Sequence, residues 1–455
     1  MFNPFASSEH ALPLYPVHAS ELESWLQALP DKQANWLKAN GFEARPGQVC
    51  CLSDAEGELA GFAFGMQDQG WLYQLAEVRE KLPAGAYQLD SKWTREQRLQ
   101  AALGWGLSCY QFDRYRQSDK ATTTLQLEDD IAVEVERLMT AQCLVRDLVN
   151  TPTEDMGPEQ LSDAMKAQAD ELDAHMSVVQ GVELLNENYP AIHAVGRASD
   201  RNPRLLKMEW GDKDDPLLVL CGKGVCFDTG GLNLKPGSGM LIMKKDMGGA
   251  AHVIALSRLI IQAELPVRLM VLVPAVENSV AGNAYRPGDI IPTRKGLTVE
   301  VGNTDAEGRI VLADALALAC EHQPDLVIDF ATLTGAARVA MGTDLPPVFS
   351  NDIHIANDLV AQGDAHEDPM WALPLYQPYK DLIKSPIADL SNVGKTSYGG
   401  CITAALFLEH FVTPETDWVH IDTYAWNMNA RPGRPAGGEA LGLRASFNYL
   451  KQRYA

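Results

Sequence analysis

The sequence predicts an α/β protein. A mixed, mainly parallel sheet flanked by helices should build a C-terminal domain that carries the candidate catalytic residues, and a smaller α/β domain should precede it. Three observations lead there. The chain has 455 residues, which is long for a single average domain. Short apolar runs alternate with segments of helical period beyond residue 150, the pattern of strands covered by helices. The composition also changes near residue 127, where a stretch rich in Trp, Gln and Ala gives way to this alternation.

The expected elements follow in chain order. Residues 1–127 form the N-terminal domain, with an aromatic cluster from Ala102 to Arg116, and Thr122-Thr123-Thr124 marks its boundary. Residues 128–455 hold the rest. Glu128-Asp129-Asp130 opens a linking helix, because acids suit a helix start and Ile131, Val135, Leu138, Met139 and Leu144 recur at helical spacing. That helix ends near Asn150, before Thr151-Pro152. Leu205–Trp210, Leu217–Cys221, Val267–Val276, Leu297–Val301, Leu326–Phe330 and Val419–Thr423 read as strands. Gly248–Ile261 and Val311–Cys320 read as helices. In such sheets, sites gather beyond the carboxyl ends of the strands.

Composition excludes several function classes. Hydrophobic residues make up 46% and charged residues 22%, within the globular range. Lys plus Arg total 38 against 60 Asp plus Glu, a net charge of −22, which disfavours nucleic acid as a partner. No run approaches the roughly 18 apolar residues that suggest a membrane span. The start Met1-Phe2-Asn3-Pro4-Phe5 lacks the features of a signal peptide, and eight scattered cysteines form no CxxC pair, so a cytoplasmic protein with reduced thiols is expected. HExxH, GxSxG and GxxxxGK[ST] are all absent, and ten histidines are scattered singly. Histidine-based zinc chemistry, serine hydrolysis and P-loop chemistry lose support.

Three segments concentrate the chemistry. Gly222-Lys223-Gly224 through Asp228-Thr229-Gly230-Gly231 follows an apolar strand and reads as a glycine-rich turn, with Lys235 seven residues beyond Asp228. In Met243-Lys244-Lys245-Asp246-Met247-Gly248-Gly249, Asp246 is either an N-cap or a functional acid. In Asn303-Thr304-Asp305-Ala306-Glu307-Gly308-Arg309, Thr304 and Glu307 have capping-box spacing. Asp305, Glu307 and Arg309 would share one face of an extended chain. Buried carboxylates repel one another unless cations intervene. Lys223, Lys235 and Arg309 could intervene as ion pairs. Two divalent ions could do so as a hydrolytic centre.

Taken together, these segments resemble the cytosolic leucine aminopeptidase family of dinuclear metallopeptidases. Asn303–Arg309 is similar to its signature heptapeptide, and the segments around Asp228 and Asp246 are similar to its two other metal segments. The resemblance covers roughly residues 130 to 430. It implies a metallo-exopeptidase that releases N-terminal residues, with Leu, Met or other apolar residues expected, from peptides with a free N-terminus. It implies two divalent ions per chain, Zn or Mn first and Mg or Co as alternatives. Asp228 and Glu307 would bridge them, Lys223 and Asp246 would complete one site, and Asp305 would complete the other. Lys235 would stabilise the reacting carbonyl, and Arg309 would hold a bicarbonate as general base. Asn303, Met243, Thr332, Leu333 and Gly335 would position substrate. The resemblance also implies a cytoplasmic homohexamer. Lys245 departs from the pattern, standing where many family members carry an aromatic residue, and Gly302 stands where a larger apolar residue is common.

Overall fold

The computed structural model describes residues 3–8, 10–67, 70–116 and 122–454. It separates into two compact units, Met1–Cys143 with Asn429–Ala436, and Leu144–Met428 with Gly437–Ala455.

The first unit is built on a five-stranded sheet of Leu12–Val17 (β1), Val49–Ser53 (β2), Leu59–Gly65 (β3), Gly85–Leu89 (β4) and Thr123–Gln126 (β5). Its order is β2-β3-β1-β4-β5, parallel except for β2 against β3. The threonine run is therefore not a boundary, because Thr123 and Thr124 belong to β5. The aromatic residues seen in the sequence pack this unit. Trp105, on the helix Arg95–Ser108, is fully buried with its ring centroid 6.0 Å from that of Tyr87 on β4. Thr94 caps that helix in a full capping box with Gln97.

The second unit carries the larger sheet. Its strands are His175–Gln180 (β6), Arg204–Trp210 (β7), Leu217–Gly222 (β8), Gly224–Asp228 (β9), Arg268–Asn278 (β10), Leu326–Ala331 (β13), Pro347–Ser350 (β14), Trp371–Ala372 (β15) and Asp417–Asp422 (β17). The order is β15-β14-β17-β13-β8-β10-β7-β6, and β9 also pairs with β10. Strands β17, β13, β8 and β10 run parallel, while β7 and β14 are antiparallel to their inner neighbours. The mixed, mainly parallel α/β fold read from the sequence is the fold observed.

Two expectations change. The expected strand at 297–301 is only Thr298–Glu300 (β12), and it lies outside the large sheet. It pairs instead with Ile290–Pro292 (β11) and Leu390–Ser391 (β16). The glycine-rich turn after β8 is in fact a second strand, β9, separated from β8 by Lys223 alone. β9 continues pairing with β10 where β8 leaves off.

Both faces of the sheet are covered, which is why β8 is apolar along its whole length. Leu217, Val219 and Cys221 join a core with Ile310, Val311 and Ala315 of the helix Glu307–Glu321. On the opposite face, Gly222 meets the helix Gly248–Gln262. A Cβ at Gly222 would lie 2.4 Å from Val253 Cγ2 and 2.8 Å from the backbone of Ala250. Gly249 makes the closest approach, since its Cβ would fall 2.1 Å from Phe330 O and 2.8 Å from Lys223 N. The small residues thus let helix backbone touch strand backbone where Lys223 begins.

Gly249→Ala should therefore destabilise the protein by about 1–3 kcal/mol, the usual cost of overpacking. Urea unfolding would measure the change, and an unaltered midpoint would contradict the packing argument.

Candidate metal centre and substrate cavity

The carboxyl ends of β8, β9, β10, β13 and β17 place Lys223, Asp228, Asn278, Thr332 and Asp422 close to one edge of the sheet. Lys223 N donates to Phe330 O at 3.0 Å, and Ala250 N donates to Lys223 O at 2.9 Å, which fixes the lysine between sheet and helix. Asp228 stands opposite Asn278 in the ladder. Asn278 Nδ2 donates to Asp228 Oδ1 at 2.8 Å and to Thr304 O at 2.9 Å, so one amide ties β9 to the heptapeptide. The loop 229–235 then folds back, with Lys235 N donating to Thr229 O at 2.9 Å. Gly230 carries the required left-handed φ of 86°.

Six of the sequence-derived residues meet here. Lys223 Nζ lies 2.8 Å from Asp246 Oδ2 and 2.8 Å from Glu307 Oε1. Lys235 Nζ lies 2.8 Å from Asp228 Oδ2 and also pairs with Asp305. Asp228, Asp305 and Glu307 bring carboxylate oxygens within 4.8 Å of one another. Glu307 Oε2 is buried and accepts no hydrogen bond. Crowded oxygens with an unsatisfied lone pair fit a divalent cation.

Three local readings of the sequence are corrected. Asp246 caps nothing, because the helix begins at Gly248 after a 3-10 turn, Met243–Met247, and its carboxylate faces Lys223. Thr304 makes no capping box. Its hydroxyl donates to Gly230 O at 2.6 Å and accepts from Asn233 N at 2.8 Å. Asp305, Glu307 and Arg309 do not share an extended face, since Glu307 opens the helix Glu307–Glu321. Residues two apart on a helix diverge. Glu307 accordingly turns to Lys223, while Arg309 Nη1 donates to Asn392 O at 2.8 Å. Gly308 lies between them because a Cβ there would sit 2.6 Å from Lys223 Cε.

Burial and charge set the protonation of the cluster. Burial, helped by repulsion from Asp246, pushes Asp228 up to about 6. Burial and repulsion from Asp228 push Glu307 up to about 7. Burial also raises Asp305, against the pull of Lys235. Asp246 is held below its ordinary range, because Lys223 and its neighbouring lysines outweigh burial. Burial disfavours the charged Lys223 and Lys235, yet the surrounding carboxylates prevail and raise both. A dication among the same carboxylates would reverse that preference at Lys223. Burial lowers Lys245 to about 8 and Arg309 to about 10.

The carboxylates open into a cavity of about 280 Å³. Met243, Thr332, Leu333 and Gly335 line it, together with Lys245, Arg338, Asp422 and Tyr424. Asn303 and Arg309 are not among its lining residues. Asn303 Oδ1 instead accepts from Asp305 N at 2.9 Å and shapes the turn. Thr332 links pocket to carboxylates, since its hydroxyl donates to Asp246 Oδ1 at 2.8 Å and its carbonyl accepts from Lys223 Nζ at 2.9 Å. Sequence reading missed Asn278, Asn392 and Asp422. No local motif surrounds them, and each acts through a partner more than twenty residues away.

Residues 143–446 match the catalytic domain of the cytosol aminopeptidase family, and residues 12–128 match the M17 aminopeptidase N-terminal domain. The chain belongs to the cytosol aminopeptidase family. It is thus an aminopeptidase, a hydrolase of the metallo-exopeptidase type. A probable cytosol aminopeptidase of Neisseria meningitidis is 35% identical over 98% of this chain and 96% of its own. The crystal structure of cytosol aminopeptidase from Coxiella burnetii superposes with a TM-score of 0.96 at 45% identity, over 99% of each chain. The bottromycin maturation enzyme BotP, solved in complex with Mn, gives 0.88 at 32% identity over 98% of this chain and 99% of that one.

Asn278→Leu removes the amide that holds Asp228 Oδ1. It should weaken Mn²⁺ binding by about 10–100-fold, as loss of an outer ligand-orienting group does. Calorimetric titration with Mn²⁺ tests this, and unchanged affinity would count against the role given to Asn278.

Proposed function

We propose that this aminopeptidase releases leucine, methionine and other apolar residues from the free N-terminus of peptides by two-metal hydrolysis. The observation that carries the reading is the meeting of Lys223, Asp228, Lys235, Asp246, Asp305 and Glu307 at one cavity. Lys223, Asp228, Asp246, Asp305 and Glu307 would hold two divalent ions, Zn or Mn. When bound, the pair would supply Lewis acidity and a water of lowered pKa.

The chain's own groups have separate tasks. Lys235 Nζ is only partly buried and stands at the carboxylates, where it would meet negative charge developing on the peptide oxygen. Met243, Leu333 and Gly335 would receive an apolar first side chain. Arg309 would hold bicarbonate as the source of a general base, and its buried Nε, which makes no hydrogen bond, supports that assignment. The protein would act in the cytoplasm as a homohexamer. The net charge of −22 speaks against nucleic acid.

Leucine anilide hydrolysis should vanish on chelation and return with Mn²⁺ or Zn²⁺, with about two ions bound per chain. Lys235→Ala and Glu307→Ala should each lose about a hundredfold or more in kcat. Activity indifferent to chelation or to both substitutions would refute the mechanism.

Protons and metal compete for the same oxygens. Because burial and mutual repulsion push Glu307 up to about 7 and Asp228 up to about 6, both are ionised at pH 8, whereas at pH 6 Glu307 is mostly and Asp228 about half protonated. Mn²⁺ affinity should therefore fall as pH drops from 8 to 6, and metal uptake at pH 6.5 should release protons. Titration in two buffers of different ionisation enthalpy measures that release.

A further inference from the structure

Two cations in the cavity are used neither by the proposed metal set nor by the role given to Lys235. Lys245 is buried, 4% exposed, yet it lines the cavity. Its Nζ lies 4.5 Å from the centroid of the Tyr424 ring. Arg338, exposed at the cavity rim, lies 5.9 Å from the same ring. Among the described residues, neither side chain has a carboxylate within 4.0 Å or a hydrogen-bond acceptor, so the ring is their shared partner. An aromatic face stabilises a cation by about 0.5–2 kcal/mol, well short of what a desolvated ammonium loses by leaving water.

The acids of the cavity are committed elsewhere. Asp246 and Glu307 engage Lys223, while Asp228 and Asp305 engage Lys235. Asp422 accepts from Leu333 N at 2.9 Å and from the Thr334 hydroxyl at 2.7 Å. The lining holds five acids and four cations, but the two cations that no acid engages, Lys245 and Arg338, are both gathered at Tyr424.

We propose that Lys245 and Arg338, gathered on the Tyr424 ring, form a carboxylate subsite inside the substrate cavity. The carboxylate would be either an acidic N-terminal side chain or the free C-terminus of a dipeptide. The inference rests on reading this cavity as the peptide site.

Two substrate pairs distinguish the sources: glutamyl against glutaminyl anilide, and Leu-Gly against leucyl-glycinamide. In the metal-loaded enzyme, Lys245→Met and Arg338→Gln should lower the charged-to-neutral ratio of kcat/KM by about tenfold or more in one pair, the scale of a lost charged hydrogen bond. The pair affected identifies the source. Arg338 is exposed, so its variant remains informative if Lys245→Met fails to fold. Ratios unchanged within about twofold in both pairs would overturn the proposal. Equilibrium titration with L-glutamate, L-glutamine and Leu-Gly separates the two readings. Carboxylate binding that depends on Lys245 or Arg338, in a protein that cleaves none of the substrates, would keep the subsite and reject the cavity as the peptide site. Equal binding by wild type and both variants, without turnover, would reject the subsite itself.

Discussion

Four carboxylates crowded into one cluster, three of them buried, are the constraint around which the second unit is arranged. Like charges at such separations are costly in a low-dielectric interior. Two lysines, each placed between two of the acids, offset that cost. The compensation is incomplete, as the raised Asp228 and Glu307 show. A site of this kind is poised for stronger positive charge than ammonium groups provide. The same imbalance that burdens the fold is the one a dication would relieve.

The sheet explains how such a cluster can be held in place. Parallel neighbours deliver their carboxyl ends to a common edge, and each contributes one or two residues there. Regular pairing fixes Asp228 opposite Asn278, and helix packing against Gly222 and Gly249 fixes Lys223. Precision in the polar cluster therefore comes from apolar contacts and glycines one layer beneath it. Asp422 extends the scheme to the cavity wall. It is buried at the end of β17 and accepts from the backbone of Leu333 and Thr334, so the pocket wall and the carboxylates are anchored to the same sheet.

Much of this was legible in the sequence, for physical reasons. Buried parallel strands such as Leu217–Cys221 must be apolar on both faces, and that leaves a plain signal. The charged residues stood out because they fall at predicted strand ends and helix starts. Conformation around them was harder to read. Thr304 and Glu307 have the spacing of a capping box, and only the nearness of Gly230 and Lys223 diverts both side chains. Lys223 reads as part of a turn until β10 is seen to extend past β8 and offer β9 a partner. Asn278, Asn392 and Asp422 left no local trace, because their roles exist only after distant segments meet. The cationic pair at Tyr424 is of the same kind. Lys245 stood out only as a departure from a family pattern, and its meaning depends on two residues far along the chain.

The division of the chain between its two units has a consequence for how the protein is made. The first unit includes Asn429–Ala436, where Gly433 lies close to the Tyr73 ring and to Ala76. A ribosome delivers Tyr73 long before Gly433. The N-terminal unit must therefore wait, one segment short, while more than 280 residues of the other unit emerge. Synthesis proceeds at about 5–20 residues per second, so this wait lasts tens of seconds, much longer than a hairpin or helix needs to form. The order of assembly is thereby written into the topology: the unit whose strands emerge before the other's is closed only after the other has emerged.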